Sequence, residues 1–554
     1  MDLTAGAEKS AFYADVQEFT AWYLARNPVA ATELGLHAHD SRLAETSPEA
    51  LHESQVGLAL FLERVGRYSA LGDTSWEIDL RLMAGLARSG LRALVTQDLP
   101  HRSPDFYGAE ALYGPCSLLL RDFAPLEDRL RSLAGRLAEV PRVLADAERN
   151  LGVCPRLWVE LASASALGGL LLFQSMIPPL AAGMRSGDPM LAARLEATNT
   201  KAVAAVERYV RFLRETLLPR AEGDFVLGEA AWNALVHDEL MLDLDAGTAG
   251  AMGRELIREA EDALQADAAA LGNRPWPDLL TEIHADHPLA RDLLPAYQQA
   301  IEAARAAVIE HDLVTLPPDE HLHIAETPTF MAPLVPPAAY LPAGPFERKQ
   351  LGIFRVTPVP TGLPHADTDC LLRAHPSAGI PAVAVREAYP GRHLQLACAA
   401  WGVSLPRKLA VGLGSSVTDA WTFYAEDLME QAGFLTDPRG RLLRLADGLH
   451  RACRIVIDVG LHSGEMSLDD AAALLVETAH LEPPTALAEA ARATQSPNAP
   501  LSYLIAKREL PRLAADYRAG LEAAGWPFAL KAFHDELLAL GSLPIGLLRM
   551  ALLG

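Results

Sequence analysis

Apolar residues recur at steps of three and four through nearly the whole chain, and that periodicity excludes most folds at once. From Glu8 to about Leu218 it is almost unbroken. Phe12, Val16, Phe19 and Trp22 repeat at helix spacing, and Leu130, Leu133, Leu137, Val140 and Val143 form a second stripe, in which Pro141 predicts a kink or break. Ser47-Pro48-Glu49 reads as a helix start, with a capping residue, a proline in the first turn and an early acid. A long helix starting near Asp188 closes at Pro219, the turn signals Gly223-Asp224 and Leu227-Gly228 follow, and a second helical block runs from about Glu229 to Glu310. Half of the residues are apolar, many of them Ala and Leu, and only 6% are aromatic. Alternating Val/Ile/Thr runs are scarce, so the fold expected is mainly α, a large helical body.

One segment departs from this pattern. Between Leu313 and Thr361 prolines crowd in: Pro317, Pro318, Pro328, Pro333, Pro336, Pro337, Pro342 and Pro345. His321–Ile324 and Ile353–Val356 are short β candidates, so this stretch reads as a small β ribbon with extended loops. It could offer a strand edge to an extended peptide, or serve as a connector. His321 and His323 share one strand face, a spacing that can chelate a metal but more often marks a solvated face. After Ile380 the pattern is helical to the end. The expected organisation is an N-terminal helical region over residues 1–312, the Pro-rich ribbon over 313–379 and a C-terminal helical region over 380–554, all in one continuous domain.

The formal net charge is −23, with no Lys/Arg block. That argues against nucleic acid and against an anionic membrane as partners. Cys116, Cys154, Cys370, Cys398 and Cys453 are odd in number, scattered and never in a CxxC pair, which predicts reduced thiols and a cytoplasmic setting. The start, Met1-Asp2-Leu3-Thr4, has neither a basic nor an apolar leader region. Leu161–Met184 carries no charge but contains Gln174 and Pro178-Pro179, and a buried helix ending at that pair accounts for it better than a membrane span.

The chemistry concentrates in Val385-Arg386-Glu387-Ala388-Tyr389-Pro390-Gly391-Arg392-His393-Leu394-Gln395. A second cluster is Asp419-Ala420-Trp421-Thr422-Phe423-Tyr424-Ala425-Glu426. Others are Asn27-Pro28, Ala30–Gly35, Gly223–Phe225, Thr327-Pro328-Thr329-Phe330, Ala338–Tyr340, Asp458–His462, Leu501–Tyr503, Phe533–Leu538 and Gly541–Pro544. In this ordered set the chain resembles the bacterial domain-of-unknown-function 885 family. That family is grouped with the helical metallopeptidases related to the angiotensin-converting-enzyme and Taq-carboxypeptidase type. The resemblance spans nearly the whole chain. It implies a metallopeptidase-like helical fold with a small β ribbon and a deep central cleft, a zinc site on the first cluster and its neighbours, and hydrolysis of a peptide or amide.

The departures from the family pattern bear on function. The signature H-E-x-x-P-G-H-H-x-Q is met by Arg386, Glu387, Pro390, Gly391, Arg392, His393 and Gln395, so two of its three histidines are arginines. In E-G-W-A-x-Y-A-E the first glutamate is Asp419, one methylene shorter. In P-G-Q-A-L-S-Y, Ala499 stands at the Gln position. A zinc peptidase needs imidazoles and a carboxylate on the metal, a separate carboxylate to take the proton of the attacking water, and a donor for the oxyanion. A guanidinium has no free lone pair and stays charged, so it cannot be a ligand. If metal is bound, His393, Asp419 and Glu426 remain to hold it, and zinc is then the candidate cofactor. The reading preferred is a metal-free pocket without cofactor, in which the Arg386 guanidinium replaces part of the metal's charge and pairs with Asp419, Glu387 or Glu426.

The residues assigned are then Glu387 as general base, with His393, His462 and Tyr503 as further catalytic candidates. Arg386, Arg392 and Tyr389 are the substrate-binding candidates. His462 follows Asp458 by one helical turn, which suits an acid–imidazole pair, and Tyr503 could donate to an oxyanion. Each of these has a plainer reading as a packed core residue. Arg444 and Arg454 could also bind a carboxylate. Three functions follow: a metal-independent enzyme on a peptide, amide or amino-acid-derived small molecule; a zinc-dependent peptidase with unusual ligands; or a non-catalytic binding or scaffold protein. The partner expected is a small molecule or peptide, and the sequence leaves the oligomeric state open.

Overall fold

The computed structural model describes residues 3–69, 72–272, 274–318, 320–328, 331–332, 335–409, 411 and 415–554. The chain folds into two compact units, Met1–Phe225 with Ala343–Lys349, and Val226–Pro342 with Gln350–Gly554. Both are built from helices, and the described residues include one small sheet.

In the first unit, α1 (Leu3–Arg26) buries Phe12, Val16 and Phe19, three of the residues in its predicted stripe. The long helices α2 (Leu126–Asn150) and α3 (Pro189–Arg211) pack along each other. Leu130, Leu133, Leu137, Val140 and Val143 of α2 are all 0% exposed, each contributing about 2 kcal/mol of apolar burial. The helix runs through Pro141 without a break, so of the two outcomes expected there, a kink or a break, the break does not occur. Its buried stripe holds it against its neighbours on both sides of the proline, and packing outweighs one lost backbone hydrogen bond. The Ser47 side chain caps its helix by accepting from the Ala50 N–H at 3.2 Å, as predicted. Arg136 is 0% exposed and donates to the Gly114 carbonyl and to the Thr32 and Ser117 hydroxyls. Neutral oxygens thus solvate a buried cation.

The uncharged stretch differs from its prediction. It forms two helices, Arg156–Ser175 and Ile177–Met184, and the break at Met176 precedes Pro178-Pro179, which open the second helix. Prolines are tolerated in a first turn, where their missing N–H would have no partner. The stretch Arg156–Met184 is long and apolar enough, by length and composition only, to cross a membrane, and 39% of its most apolar window is buried.

In the second unit, α4 (Ala246–Ala270) lies along α9 (Pro438–Ser463), and α5 (Leu293–Glu310) packs on α6 (Ile380–Glu387). The helices α7 (Arg392–Ala399) and α8 (Ser415–Gln431) complete the surroundings of the site. Strands β1 (His321–Glu326), β2 (Ala338–Leu341) and β3 (Leu351–Val356) form a sheet in the order β1-β3-β2. β1 runs parallel to β3, with His321 opposite Leu351, and β2 runs antiparallel to it, with Tyr340 opposite Phe354. The two predicted strands are present, and β2 is an addition. His321 and His323 are both on the exposed face of β1. Thr329, Phe330 and Pro333, read above as part of the motif set or the Pro-rich run, lie outside the described residues.

Candidate functional site

The motif is split between two helices by the turn that contains Pro390 and Gly391. α6 ends at Glu387, Ala388 leaves helical geometry with φ −117° and ψ −87°, and α7 begins at Arg392. Gly391 closes the turn, its N–H donating to the Val385 carbonyl at 3.0 Å. A Cβ there would lie 2.1 Å from the Arg386 carbonyl oxygen and 2.2 Å from that of Val385, so only glycine fits. Trp421 of α8 donates its indole N–H to the Pro390 carbonyl at 2.7 Å and fixes the turn from the other side. On one continuous helix, Arg386 and His393 would share a face. The turn instead brings Arg392 beside Glu387 and carries His393 to a separate place.

Arg386, Glu387, Arg392, Asp419 and Tyr503 gather on one cavity of about 280 Å³. Arg392 donates from Nε to Glu387 Oε2 at 3.2 Å, and its Nη1 lies 2.7 Å from Asp419 Oδ1. Arg386 donates from Nη1 to Glu426 Oε1 at 3.0 Å; the same nitrogen is 3.5 Å from Asp447 Oδ2, and its Nε is 3.6 Å from Glu387 Oε1. Of the three partners expected for Arg386, Glu426 and Glu387 are beside it, while Asp419 pairs with Arg392. Burial works against the Arg386 charge, but Glu426, Asp447 and Glu387 outweigh it and hold its pKa above the ordinary arginine value. The same balance, with Glu387 and Asp419 as the carboxylates, raises that of Arg392. Burial raises the Glu426 carboxyl despite Arg386, whereas Arg451 and Arg386 overcome burial and lower that of Asp447.

Arg451 and Arg454 of α9 line the same cavity. Arg451 stacks on Phe423 at 4.2 Å and donates to Asp447 from Nε and Nη2 at 3.0 and 2.9 Å. Among the described residues the carboxylate nearest Arg454 is Glu489 at 3.8 Å, and burial lowers the Arg454 pKa. The sequence reading passed over Asp447 and Arg451. The signal was present, because Asp447, Arg451, Arg454 and Asp458 lie three and four residues apart, a charged stripe on a helix otherwise rich in buried apolar residues.

The structure does not bring the remaining candidates to this cavity. His393 is 1% exposed and sealed behind the turn. Its Nε2 is 3.0 Å from Glu320 Oε1 and its Nδ1 is 3.1 Å from the Tyr340 hydroxyl. In a neutral imidazole Nε2 carries the proton toward the carboxylate, and Tyr340 donates to Nδ1. The Tyr389 hydroxyl donates to the same Glu320 oxygen, and Arg305 is 3.6 Å from the other. Glu320 precedes β1 by one residue, and its distance from the motif in sequence hid it from the sequence reading. His462 is also separate. Its Nε2 faces the Ala493 carbonyl at 3.2 Å, and its Nδ1 has no partner among the described residues. The expected Asp458–His462 hydrogen bond does not form, the two standing 3.8 Å apart. Asp458 instead accepts from the Trp232 indole at 2.9 Å and the Asn498 N–H at 3.1 Å. Arg444 is held 2.9 Å from Glu430.

The zinc implied by the resemblance does not fit these side chains. Among the described residues no three His, Cys, Asp or Glu side chains stand where they could share a metal ion. The carboxylates that would be ligands are already joined to guanidiniums, and the surviving imidazole is turned into a closed cluster.

A family model described as a bacterial protein of unknown function, DUF885, matches residues 28–552. No curated protein matches. Among solved structures, one described as a "putative lipoprotein of unknown function" from Shewanella oneidensis is 22% identical, with a TM-score of 0.77 over 98% of this chain and 100% of its own. Another, described likewise as a lipoprotein and from Colwellia psychrerythraea, is 17% identical, with a TM-score of 0.79 over 98% of both chains. At such identities the likeness establishes the fold. The descriptions overturn the cytoplasmic expectation, since a lipoprotein is held at a membrane. That expectation rested on unpaired thiols and polar first residues, neither of which fixes a compartment.

Proposed function

The chain belongs to the DUF885 family of bacterial proteins, and from that premise we propose that its cavity is a metal-independent site for the carboxylate of a peptide, amide or amino-acid-derived small molecule, with Glu387 moving the proton. The observation that carries this reading is the lining. Arg386, Arg392, Arg451 and Arg454 face it with Glu387 and Asp419 as lining carboxylates, so among the lining side chains cations exceed carboxylates by two in a chain of net charge −23, while Glu426 and Asp447, the partners of Arg386 and Arg451, do not line it. A cationic pocket in an acidic protein selects an anion locally, and guanidiniums suit a carboxylate because they can bind both its oxygens. Arg454, the least compensated of the four, is the first contact for the ligand, and Tyr503 stands on the same wall as a hydroxyl donor.

A second reading, binding without turnover, is favoured by the engagement of Glu387 with two guanidiniums. One set of experiments separates the readings. Hexanoate binding is measured by calorimetry, and turnover of a panel of dipeptides and N-acyl amino acids is measured with and without chelator. The proposal predicts hexanoate binding that weakens by about tenfold or more in Arg392→Ala, with turnover insensitive to chelator and abolished in Glu387→Gln. Hexanoate binding unchanged in Arg392→Ala would overturn the assignment of the pocket. Binding without any turnover across the panel would select the second reading.

A further inference from the structure

We infer that this cavity is one half of a two-part site, whose ligand carries a cationic group as well as a carboxylate. The inference rests on the carboxylate-pocket reading above and extends it to the rest of the ligand. A second cavity of about 190 Å³ opens against α4, where Leu256 and Ala260 form its apolar wall. Phe423, Arg451 and Tyr503 line both cavities and so form the partition between them.

The charges of the two cavities are tied across that partition. Arg386 lines the first cavity, while Glu426 and Asp447 line the second, yet the Arg386 guanidinium bonds Glu426 at 3.0 Å and reaches Asp447 at 3.5 Å. Arg451, part of the partition itself, makes the other bonds to Asp447. A ligand carboxylate in the first cavity competes for these same two guanidiniums. Whatever hold it gains on Arg386 and Arg451 is withdrawn from Glu426 and Asp447, which face the second cavity. Glu426 is buried and Asp447 part-exposed, so the loss of a cation is costly above all at Glu426, and the cost falls if the ligand brings a cation of its own. An ammonium group reaching past Phe423 into the second cavity meets that need. The first cavity has an excess of cations and the second has as many carboxylates as cations, so a ligand charged at both ends fits the pair in one orientation. The ligand class is an amino-carboxylate, such as a short peptide or a related amino-acid derivative, lying across the partition.

The test uses the full chain and three probes of one chain length, hexanoate, 6-aminohexanoate and hexylamine, titrated by calorimetry at constant pH and ionic strength. The expected result is that 6-aminohexanoate binds about tenfold or more tighter than hexanoate. In Glu426→Gln that preference should fall to about threefold or less, and Asp447→Asn, on the adjacent helix, should do the same if the first variant does not fold. The preference is a ratio within each protein, so a general loss of affinity does not mimic it. If hexanoate binds and is lost in Arg392→Ala while the amine adds nothing, or if the preference survives both substitutions, the two-part site is wrong and the carboxylate pocket stands. If neither hexanoate nor 6-aminohexanoate binds, both readings fall together.

Discussion

Two clusters issue from the same short motif, and they have opposite characters. Arg386, Glu387 and Arg392 line a cavity with Asp419, and their ion pairs are part-exposed. His393, one residue further along, lies in a sealed cluster with Glu320, Tyr340 and Tyr389, where both ring nitrogens are used. The chemical types are similar, an acid with basic and hydroxyl partners, but the first cluster lines a cavity while the second is buried. The turn from Ala388 to Gly391 makes the difference. Neighbours in sequence need not share a site, and a break of a few residues decides which side chains meet.

The largest effect should come from removing the cation at the centre of the open cluster. Arg386→Ala leaves Glu426 and Asp447 without their shared partner and should cost about 3–5 kcal/mol, measured by denaturant unfolding. A loss below about 1 kcal/mol would mean that the carboxylates are not held as described.

A third buried acid contrasts with both clusters. Burial pushes the Asp458 carboxyl up to about 7, despite its bonds from Trp232 and Asn498. The folded protein then keeps a proton that the unfolded chain has released, so this contribution is complete below about pH 4 and is lost as pH rises to about 7. Relative to Asp458→Asn, the wild type should lose up to about 4 kcal/mol across that window, and a flat difference would refute the assignment.

The sealed cluster should respond differently from the open one. His393→Ala opens a hole and leaves Glu320 and Tyr340 short of a partner, a cost of about 2–3 kcal/mol. Hexanoate affinity should change by less than about twofold in the same variant, because His393 does not reach the cavity. A tenfold loss would merge the two clusters into one site. The smallest effect belongs to Asp419→Asn. Its ion pair with Arg392 is part-exposed and should cost less than about 1 kcal/mol, while hexanoate binding tightens because a competing carboxylate is gone.

Much of the fold was legible in the sequence because helix periodicity is a local property. The α2 stripe from Leu130 to Val143 shows this, as does the Ser47 cap. Two of the three strands were read from their β-branched and aromatic residues, but Ala338–Leu341 is too short and Ala-rich to announce itself. Pro141 does not break its helix, because packing along a long helix is a tertiary effect that one residue's propensity does not report. At the site, the family-like motif pointed to Glu387, Arg386, Arg392, Asp419 and Tyr503, which do line one cavity. It could not show that the motif folds back at Gly391, nor that Glu320 completes the surroundings of His393, since both depend on contacts across the fold. Asp447 and Arg451 were within reach of a charge-periodicity argument on α9 that the motif itself does not contain.

In the proposed site, side-chain guanidiniums supply the positive charge of the pocket. Elemental analysis of the full chain, produced in zinc-supplemented medium and purified without chelator, tests this when followed by thermal unfolding with and without chelator. The expected result is less than about 0.1 zinc per chain and a Tm that chelator does not move. About one zinc per chain, with a Tm that drops when the metal is stripped, would contradict it.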